Sequence, residues 1–201
     1  MDILWHGNSC FTCKGKNGSL VINPDKSIKA NLKADAILSS IGDDLAEVKD
    51  IKKTFDWPGE YEISGIPIAA ISAWTRSRSK EEEEGQDGDR TTVFYFEIDN
   101  VKICHLGNIG HKLTTEMADE IGDVDVLLIP IGEDAALKGK TEDLFDQIDP
   151  RVVIPYGTKF TDEELKKALN AQFEPAEDKF TAATSSDLPD DKTRYVSLKK
   201  A

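Results

Sequence analysis

The first half of the chain contains short apolar runs whose alternating or continuous pattern is typical of β-strands. These runs span 3–5, 9–14, 20–23, 34–40 and 61–73. Asn17-Gly18 between two of them favours a hairpin turn, and Asp99-Asn100 joins further runs at 91–98 and 101–106 in the same way. This half of the sequence therefore predicts hairpin-connected strands.

The second half alternates between helical and strand patterns. Apolar residues at helical spacing predict helices at 114–121, 141–148 and 161–172, and continuous apolar runs at 124–131 and 151–155 predict strands buried on both faces. A last strand is expected at 195–198. Strands first, then strands interleaved with helices, predict an α/β sandwich of two packed sheets with helices outside.

No repeat or linker divides the sequence, so we predict one domain over residues 1–201. The stretch at about 75–90 has no apolar residue and carries four consecutive glutamates, Glu81–Glu84. We expect it to be a mobile, solvated acidic loop, with a docking arm for a partner as the less favoured interpretation.

The net charge is −13, from 25 basic and 38 acidic residues. A chain this acidic repels phosphate, so we expect no general binding to nucleic acid or to an anionic membrane. No apolar run is long enough to span a bilayer, and the start of the chain lacks a signal-peptide pattern. The predicted location is cytoplasmic.

Three cysteines, Cys10, Cys13 and Cys104, are too few for a disulfide framework. Cys10 and Cys13 form a C-x-x-C, but they lie within a strand pattern that points the two sulfurs to opposite faces of a sheet. We therefore interpret them as small buried strand residues and not as a redox or metal pair.

Six segments carry a resemblance to a known family. They span 5–11 (WHGNSCF), 20–24 (LVINP), 57–62 (WPGEYE), 103–111 (ICHLGNIGH), 123–130 (DVDVLLIP) and 150–155 (PRVVIP). In this order they resemble small metallo-β-lactamase-fold proteins, the branch that includes sugar-lactone hydrolases. The resemblance implies a four-layer αββα sandwich and a binuclear metal site, usually zinc, at one edge of the sheets. It further implies that histidine and aspartate ligands hold the two metals, which share a hydroxide that attacks an ester, lactone, amide or phosphodiester.

The sequence departs from this family at the metal ligands. The positions that match the family's ligands are Ile41, Asp43, Leu45, Ala46, Thr75, Asn108 and Gly157. Only Asp43 is a good metal ligand, and none of the three histidines (His6, His105, His111) falls on a ligand position. We therefore expect no metal cofactor where the family binds two zinc ions.

Other polar residues should lie near the vacated pocket if the fold is correct. The candidates are Asn8, Asp43, His105, Asn108 and His111. Alternatively, His105 is a strand residue buried behind the pocket, His111 is a polar residue before a helix, and Asp43-Asp44 is a cap pair or a weak cation site. We expect aromatic and apolar side chains to fill the emptied site, namely Trp74, Tyr156, Ile41 and Leu45.

Two functional hypotheses follow. The first is a pseudoenzyme that has lost its zinc site and activity and acts as a binding or scaffold module for a protein or small-molecule partner. The alternative is a hydrolase of lactone, ester or phosphodiester bonds that uses a rearranged site, with His105 or His111 as candidates. A homo-oligomer is compatible with either hypothesis.

Overall fold

The computed structural model describes residues 1–40, 42, 44–75, 90–131, 141–157, 169 and 171–201. Within them the chain forms one six-stranded, one seven-stranded and one two-stranded β-sheet. In chain order the strands are β1 (Asp2–Gly7), β2 (Cys10–Lys14), β3 (Ser19–Ile22), β4 (Leu32–Lys33), β5 (Ala36–Leu38), β6 (Val48–Lys49), β7 (Lys53–Phe55), β8 (Gly59–Ile63), β9 (Ile66–Trp74), β10 (Arg90–Ile98), β11 (Val101–His105), β12 (Val126–Pro130), β13 (Val152–Tyr156), β14 (Phe180–Thr181) and β15 (Arg194–Tyr195). The helices are α1 (Thr115–Ile121) and α2 (Thr141–Ile148), with a 3-10 turn at Ser185–Asp187.

The two large sheets each combine antiparallel and parallel pairing. The six-stranded sheet has the order β14-β1-β2-β3-β5-β7, in which β3, β5 and β7 run parallel. The seven-stranded sheet has the order β15-β13-β12-β11-β10-β9-β8, in which β11, β12, β13 and β15 run parallel. Parallel strands end at the same side of a sheet, so the loops that follow them are brought together.

The main core lies between the two large sheets. Its largest fully buried side chains come from both sheets and include Phe11, Phe94, Phe96, Phe180 and Ile103. Burial of such side chains is the dominant favourable contribution to folding. Since each strand alternates its side chains, both sheets also present a second apolar face that must be covered.

Separate elements cover these outer faces. Met117 and Ile121 of α1 and Leu144 and Ile148 of α2 pack in a second cluster on the seven-stranded sheet. Over the six-stranded sheet, Cys10 and Val21 pack against Ile28, Leu32 and Ala34 from the segment that leads through β4. The predicted arrangement of two packed sheets with helices outside is thus confirmed, and the described helices lie on the seven-stranded sheet.

Local chemistry explains where α1 and the β10–β11 hairpin begin and end. Thr114 caps α1 by accepting a hydrogen bond from the Met117 amide through Oγ1 (3.2 Å). The hairpin turns at Asp99 (φ 52°) and Asn100 (φ 62°), a pair of left-handed residues that matches the twist of two antiparallel strands. Both elements lie where the sequence pattern predicted them.

The cysteine prediction is confirmed as well. All three cysteines are free and buried. Cys13 belongs to the core between the sheets and Cys10 to the cluster on the outer face, so the two sulfurs lie on opposite faces of the sheet. Two other predictions, the acidic loop (76–89) and most of the helix at 161–172, lie outside the described residues.

Candidate functional site at the strand-end edge

Strands of both large sheets end at one side of the molecule, which we call the strand-end edge. It consists of the loops that follow β1, β3, β5, β11, β12 and β13, and a backbone bridge between Asn8 and Gly157 joins the two sheets there. Residues with positive φ in these loops are Gly7 (103°), Asn8 (49°), Asn23 (45°), Gly42 (81°), Gly107 (59°) and Gly157 (149°). Ligands of sheet-based folds bind where loops after parallel strands meet, which makes this edge the candidate site.

The loop after β11 is fixed from two sides. The Gly107 amide donates to His105 Nδ1 (3.1 Å), and Tyr156 Oη donates to the Gly107 carbonyl (2.5 Å). A Cβ on Gly107 would lie 2.6 Å from Thr91 Oγ1 and 2.6 Å from a backbone oxygen of β10, so only glycine fits. The next residue, Asn108, is exposed and its amide donates to Thr91 Oγ1 (3.1 Å). Two buried rings thus hold Asn108 in place at the strand-end edge.

His105 itself is completely buried between the sheets. Its ring stacks on Tyr156 (centroids 4.7 Å apart, 10° between planes) and meets Phe11 edge-on at 6.0 Å. Nδ1 accepts the Gly107 amide, which places the proton on Nε2, and Nε2 makes no hydrogen bond of ordinary geometry with the described residues. Burial lowers the pKa of His105 to about 3, against a smaller opposing effect of the Ser9 backbone. The ring is therefore neutral near neutral pH and acts as a fixed packing element.

His111 is occupied at both ring nitrogens. Its Nε2 accepts the Trp74 amide (3.1 Å), and its Nδ1 donates to the Lys112 carbonyl (2.6 Å). The Trp74 carbonyl in turn accepts the Gly110 amide (2.8 Å). These bonds attach the end of β9 to the loop that leads into α1, so His111 organises the loop at the position the sequence placed it, just before a helix.

A buried asparagine, which the sequence analysis did not single out, ties three loops together. Asn23 is fully buried after β3. Its Oδ1 accepts the Ser40 amide (2.7 Å), and its Nδ2 donates to Ser40 Oγ (2.8 Å) and Ser9 Oγ (3.2 Å). The sequence signal for this residue was an asparagine placed directly between an apolar strand and Pro24. A side-chain amide that is buried at such a position needs several hydrogen-bond partners to offset its desolvation.

Asp25 was also missed, and it forms a second polar group at the edge. Its carboxylate accepts Asn8 Nδ2 (3.0 Å) and the Ser27 amide (2.7 Å). Burial alone would raise the pKa of Asp25, but the hydrogen bonds from Ser27 and Asn8 and the nearby Lys200 ammonium bring it below its usual value. Asn8 therefore contributes its side chain to Asp25 and its backbone to the bridge with Gly157.

The family ligand positions are spread along this edge. Those within the described residues are Leu45, Ala46 and Thr75, all half-buried, the exposed Asn108 and the half-buried Gly157. Ile41 and Asp43 lie outside the described residues. Of the side chains expected to fill the site, Tyr156 is buried at its centre, whereas the Trp74 ring lies under the Arg90 guanidinium, 5.3 Å from the ring centroid.

Gly157 is closed to any side chain in this conformation. A Cβ there would lie 2.1 Å from the Ile131 carbonyl oxygen, and its φ of 149° disfavours other residues. Within the described part of the chain, no three histidine, cysteine, aspartate or glutamate side chains are grouped so that they could hold a metal ion. The donor set of a binuclear zinc site therefore does not fit the described residues of the strand-end edge.

No helix in the described part of the chain is long and apolar enough to cross a membrane. The cytoplasmic location stays a prediction.

Two related proteins align with most of the chain. The UPF0173 protein of Pyrococcus abyssi is 30% identical over 183 residues, which cover 79% of this chain and 84% of that protein. The UPF0173 metal-dependent hydrolase of Archaeoglobus fulgidus is 25% identical over 214 residues, covering 86% of this chain and 92% of that protein. A solved structure from Thermotoga maritima, assigned to the Zn-dependent hydrolases of the metallo-β-lactamase superfamily, superimposes with a TM-score of 0.77 at 24% identity. The superimposed region covers 98% of this chain and 97% of the Thermotoga chain.

These relatives contradict the prediction that the chain has no metal cofactor. That prediction rested on the residues at the positions matched to the family's ligands, whereas the Archaeoglobus relative is named a metal-dependent hydrolase. The physical weakness of the prediction is that a metal site is a set of donors gathered in space. Loss of donors at the usual sequence positions does not exclude donors from other segments.

The family itself is clear. The sequence model described as "Beta-lactamase superfamily domain" matches residues 2–157, most of the chain. The α/β sandwich described above is the fold that the resemblance implied, so the fold prediction is confirmed. The chain belongs to the metallo-β-lactamase-fold superfamily of hydrolases.

Proposed function

We propose that this protein is a metal-dependent hydrolase whose centre lies at the strand-end edge and is rearranged relative to the family's usual binuclear site. The observation that carries the proposal is the fixed Gly107 loop. Hydrogen bonds to His105 and Tyr156 hold it, and it presents the exposed Asn108, one of the positions that the resemblance matches to a family ligand. A preorganised polar loop of this kind is what catalysis of a hydrolytic step requires.

The names of the relatives bring a metal into this proposal. Because the described residues do not provide its donor set, no catalytic step is assigned to the metal. Asp43, the one carboxylate among the positions that match the family's ligands, lies outside the described residues and is tested by substitution.

The remaining groups of the edge have positioning roles in this proposal. The Asn108 carboxamide can donate a hydrogen bond to a substrate oxygen or accept one from a nucleophilic water. Asn8 and Asp25, which are hydrogen-bonded to each other, are polar residues of the six-stranded sheet at the same edge. His105 is buried and neutral, so it orders the loop and does not transfer protons. The proposed substrate class is a lactone, carboxylic ester or phosphodiester.

The test combines metal analysis with a substrate panel. Protein purified without chelators is assayed for bound zinc, manganese and iron, and then with lactone, ester and phosphodiester substrates before and after chelation. We expect bound metal, a chelator-sensitive activity and a drop of about tenfold or more in kcat/KM for Asn108→Ala and Asp43→Asn. Asp123→Asn is the matched control, because Asp123 is an exposed carboxylate shortly before β12, at the end of the seven-stranded sheet opposite to these loops.

A second candidate is a non-catalytic binding module for a protein or small-molecule partner. It is favoured by one observation, the closure of the Gly157 position by the Ile131 carbonyl, which leaves no room for a catalytic side chain there. Metal-loaded protein that turns over no substrate of the panel would support this candidate against the first. Activity that survives both chelation and the Asn108 and Asp43 substitutions would contradict the first candidate and point to a contaminant.

A further inference from the structure

One aromatic side chain stands out on the surface. Trp57 lies between β7 and β8 and is 66% exposed, the only large hydrophobic side chain so exposed in the described part of the chain. Its backbone is fixed, because Tyr61 Oη donates to the Trp57 carbonyl (2.8 Å) and the Tyr61 ring stacks on Phe55 with centroids 4.5 Å apart. An indole on a rigid base loses little conformational entropy when it is covered, and tryptophan is the residue most enriched at the centres of interfaces.

The strands on either side of Trp57 are edge strands. β7 is the last strand of the six-stranded sheet and β8 the last strand of the seven-stranded sheet, and no other strand among the described residues pairs with their outer sides. Only residues 56–58 separate them, so both open edges lie on the same side of the molecule. Unpaired backbone groups on an edge are available to another chain.

Charges around Trp57 follow a self-complementary order. Lys52 and Lys53 precede it, Asp56 lies directly beside it, Glu60 and Glu62 follow it, and all five are exposed. Lys52 is already paired with an aspartate of its own chain (2.6 Å), whereas Lys53 has no ion pair among the described residues. In a two-fold symmetric pair each contact occurs twice with the roles exchanged, so the basic end of one copy meets the acidic end of the other. Charges of one sign along this segment would instead repel a second copy.

We propose that residues 52–62, which we call the β7–β8 edge, form the interface of a two-fold symmetric homodimer of this chain. Trp57 packs against its counterpart near the symmetry axis, and Lys53 of each copy faces Glu60 of the other. Each copy has a net charge of −13, so two copies repel one another overall. The local contacts between opposite charges offset this repulsion and fix how the two copies align along the interface.

The test measures the oligomeric state of the full chain by sedimentation velocity over about a hundredfold range of concentration, since a dimer dissociates on dilution by mass action. We expect a dimer for the wild type and a dissociation constant at least about tenfold higher for Trp57→Ala. Lys53→Glu and Glu60→Lys should each weaken the dimer, because each places like charges opposite one another. The double variant restores opposite charges in both symmetry-related contacts and should recover the dimer.

Lys192→Glu is the matched control, since Lys192 is an exposed lysine outside this edge and its substitution changes the net charge equally. Thermal unfolding of each variant shows that the fold is retained. A protein that is monomeric over the whole range overturns the proposal. So does a dimer that is insensitive to Trp57→Ala, or one that the double charge exchange fails to restore.

Discussion

The buried imidazole of His105 makes the stability of this protein depend on pH in a specific window. The ring is completely buried, and its pKa falls from the usual 6.5 to about 3 because burial penalises the charged form. In the unfolded chain the ring takes up a proton below about pH 6.5, whereas in the folded protein it stays neutral until about pH 3. The unfolded state therefore binds more protons in this interval, and acid favours unfolding.

The size of the effect follows from that difference in pKa. Stabilisation from the neutral ring is fully present above about pH 6.5 and is lost as the pH falls, by about 1.4 kcal/mol for each unit. At about pH 5 the free energy of unfolding should have fallen by about 2 kcal/mol, and the limit near pH 3 is about 5 kcal/mol. The acidic residues with lowered pKa, such as Asp35 at about 2, begin to contribute only below their ordinary value of 3.8. A change in the free energy of unfolding between about pH 6.5 and 4.5 therefore comes mainly from histidine side chains.

The assay is urea unfolding followed by tryptophan fluorescence at a series of pH values, for the wild type and for His105→Asn. Asparagine keeps an oxygen that can accept the Gly107 amide and removes the titrating ring, so the variant should be less stable near neutral pH and less sensitive to acid. Burial also lowers the pKa of His6, and this contribution is common to both proteins and cancels in the comparison. Parallel pH profiles for the two proteins would refute the assignment.

Three further predictions concern the strand-end edge and the helix that follows it. Gly157→Ala places a Cβ 2.1 Å from a backbone oxygen and should cost at least about 2 kcal/mol in thermal unfolding, whereas Gly122→Ala, with no atom within 4 Å of the new Cβ, should cost about 1 kcal/mol. Tyr156→Phe leaves the Gly107 carbonyl without its buried donor and should cost about 1 to 2 kcal/mol in urea unfolding; a neutral result would contradict that hydrogen bond. Thr114→Ala removes the cap of α1 and should cost about 1 kcal/mol, rescued by Thr114→Ser.

Much of the fold was accessible from local sequence patterns. The β10–β11 hairpin and α1 were predicted within one or two residues, because Asp99-Asn100 and Thr114 satisfy backbone geometry through their own chemistry. Short elements such as β4, β6, β7 and β14 were missed. Each of these strands has only two or three residues. The conformation of so short a strand depends on the neighbouring strands with which it pairs in space, and its own sequence pattern is too short to predict it.

The candidate site was less accessible. The sequence pointed to Asn8, His105, Asn108 and His111 as possible pocket residues, and their placement near the strand ends followed from the fold. It offered burial behind the pocket as one interpretation of His105 but could not decide between that and a role in the site. It did not reveal that both nitrogens of His111 are occupied by backbone groups. Whether a histidine is a ligand, a base or a packing element depends on partners brought in from other strands.

The sequence by itself determined the superfamily and the two-sheet sandwich, since these depend on local order and spacing along one chain. Only the tertiary structure decided that Gly157 faces a carbonyl, that Asn23 joins three loops, and that Trp57 lies between two open edges. The inference from replaced ligands to the absence of metal failed for the same reason. Burial, hydrogen bonding and metal coordination are properties of groups that meet in space, and residues far apart in sequence supply them.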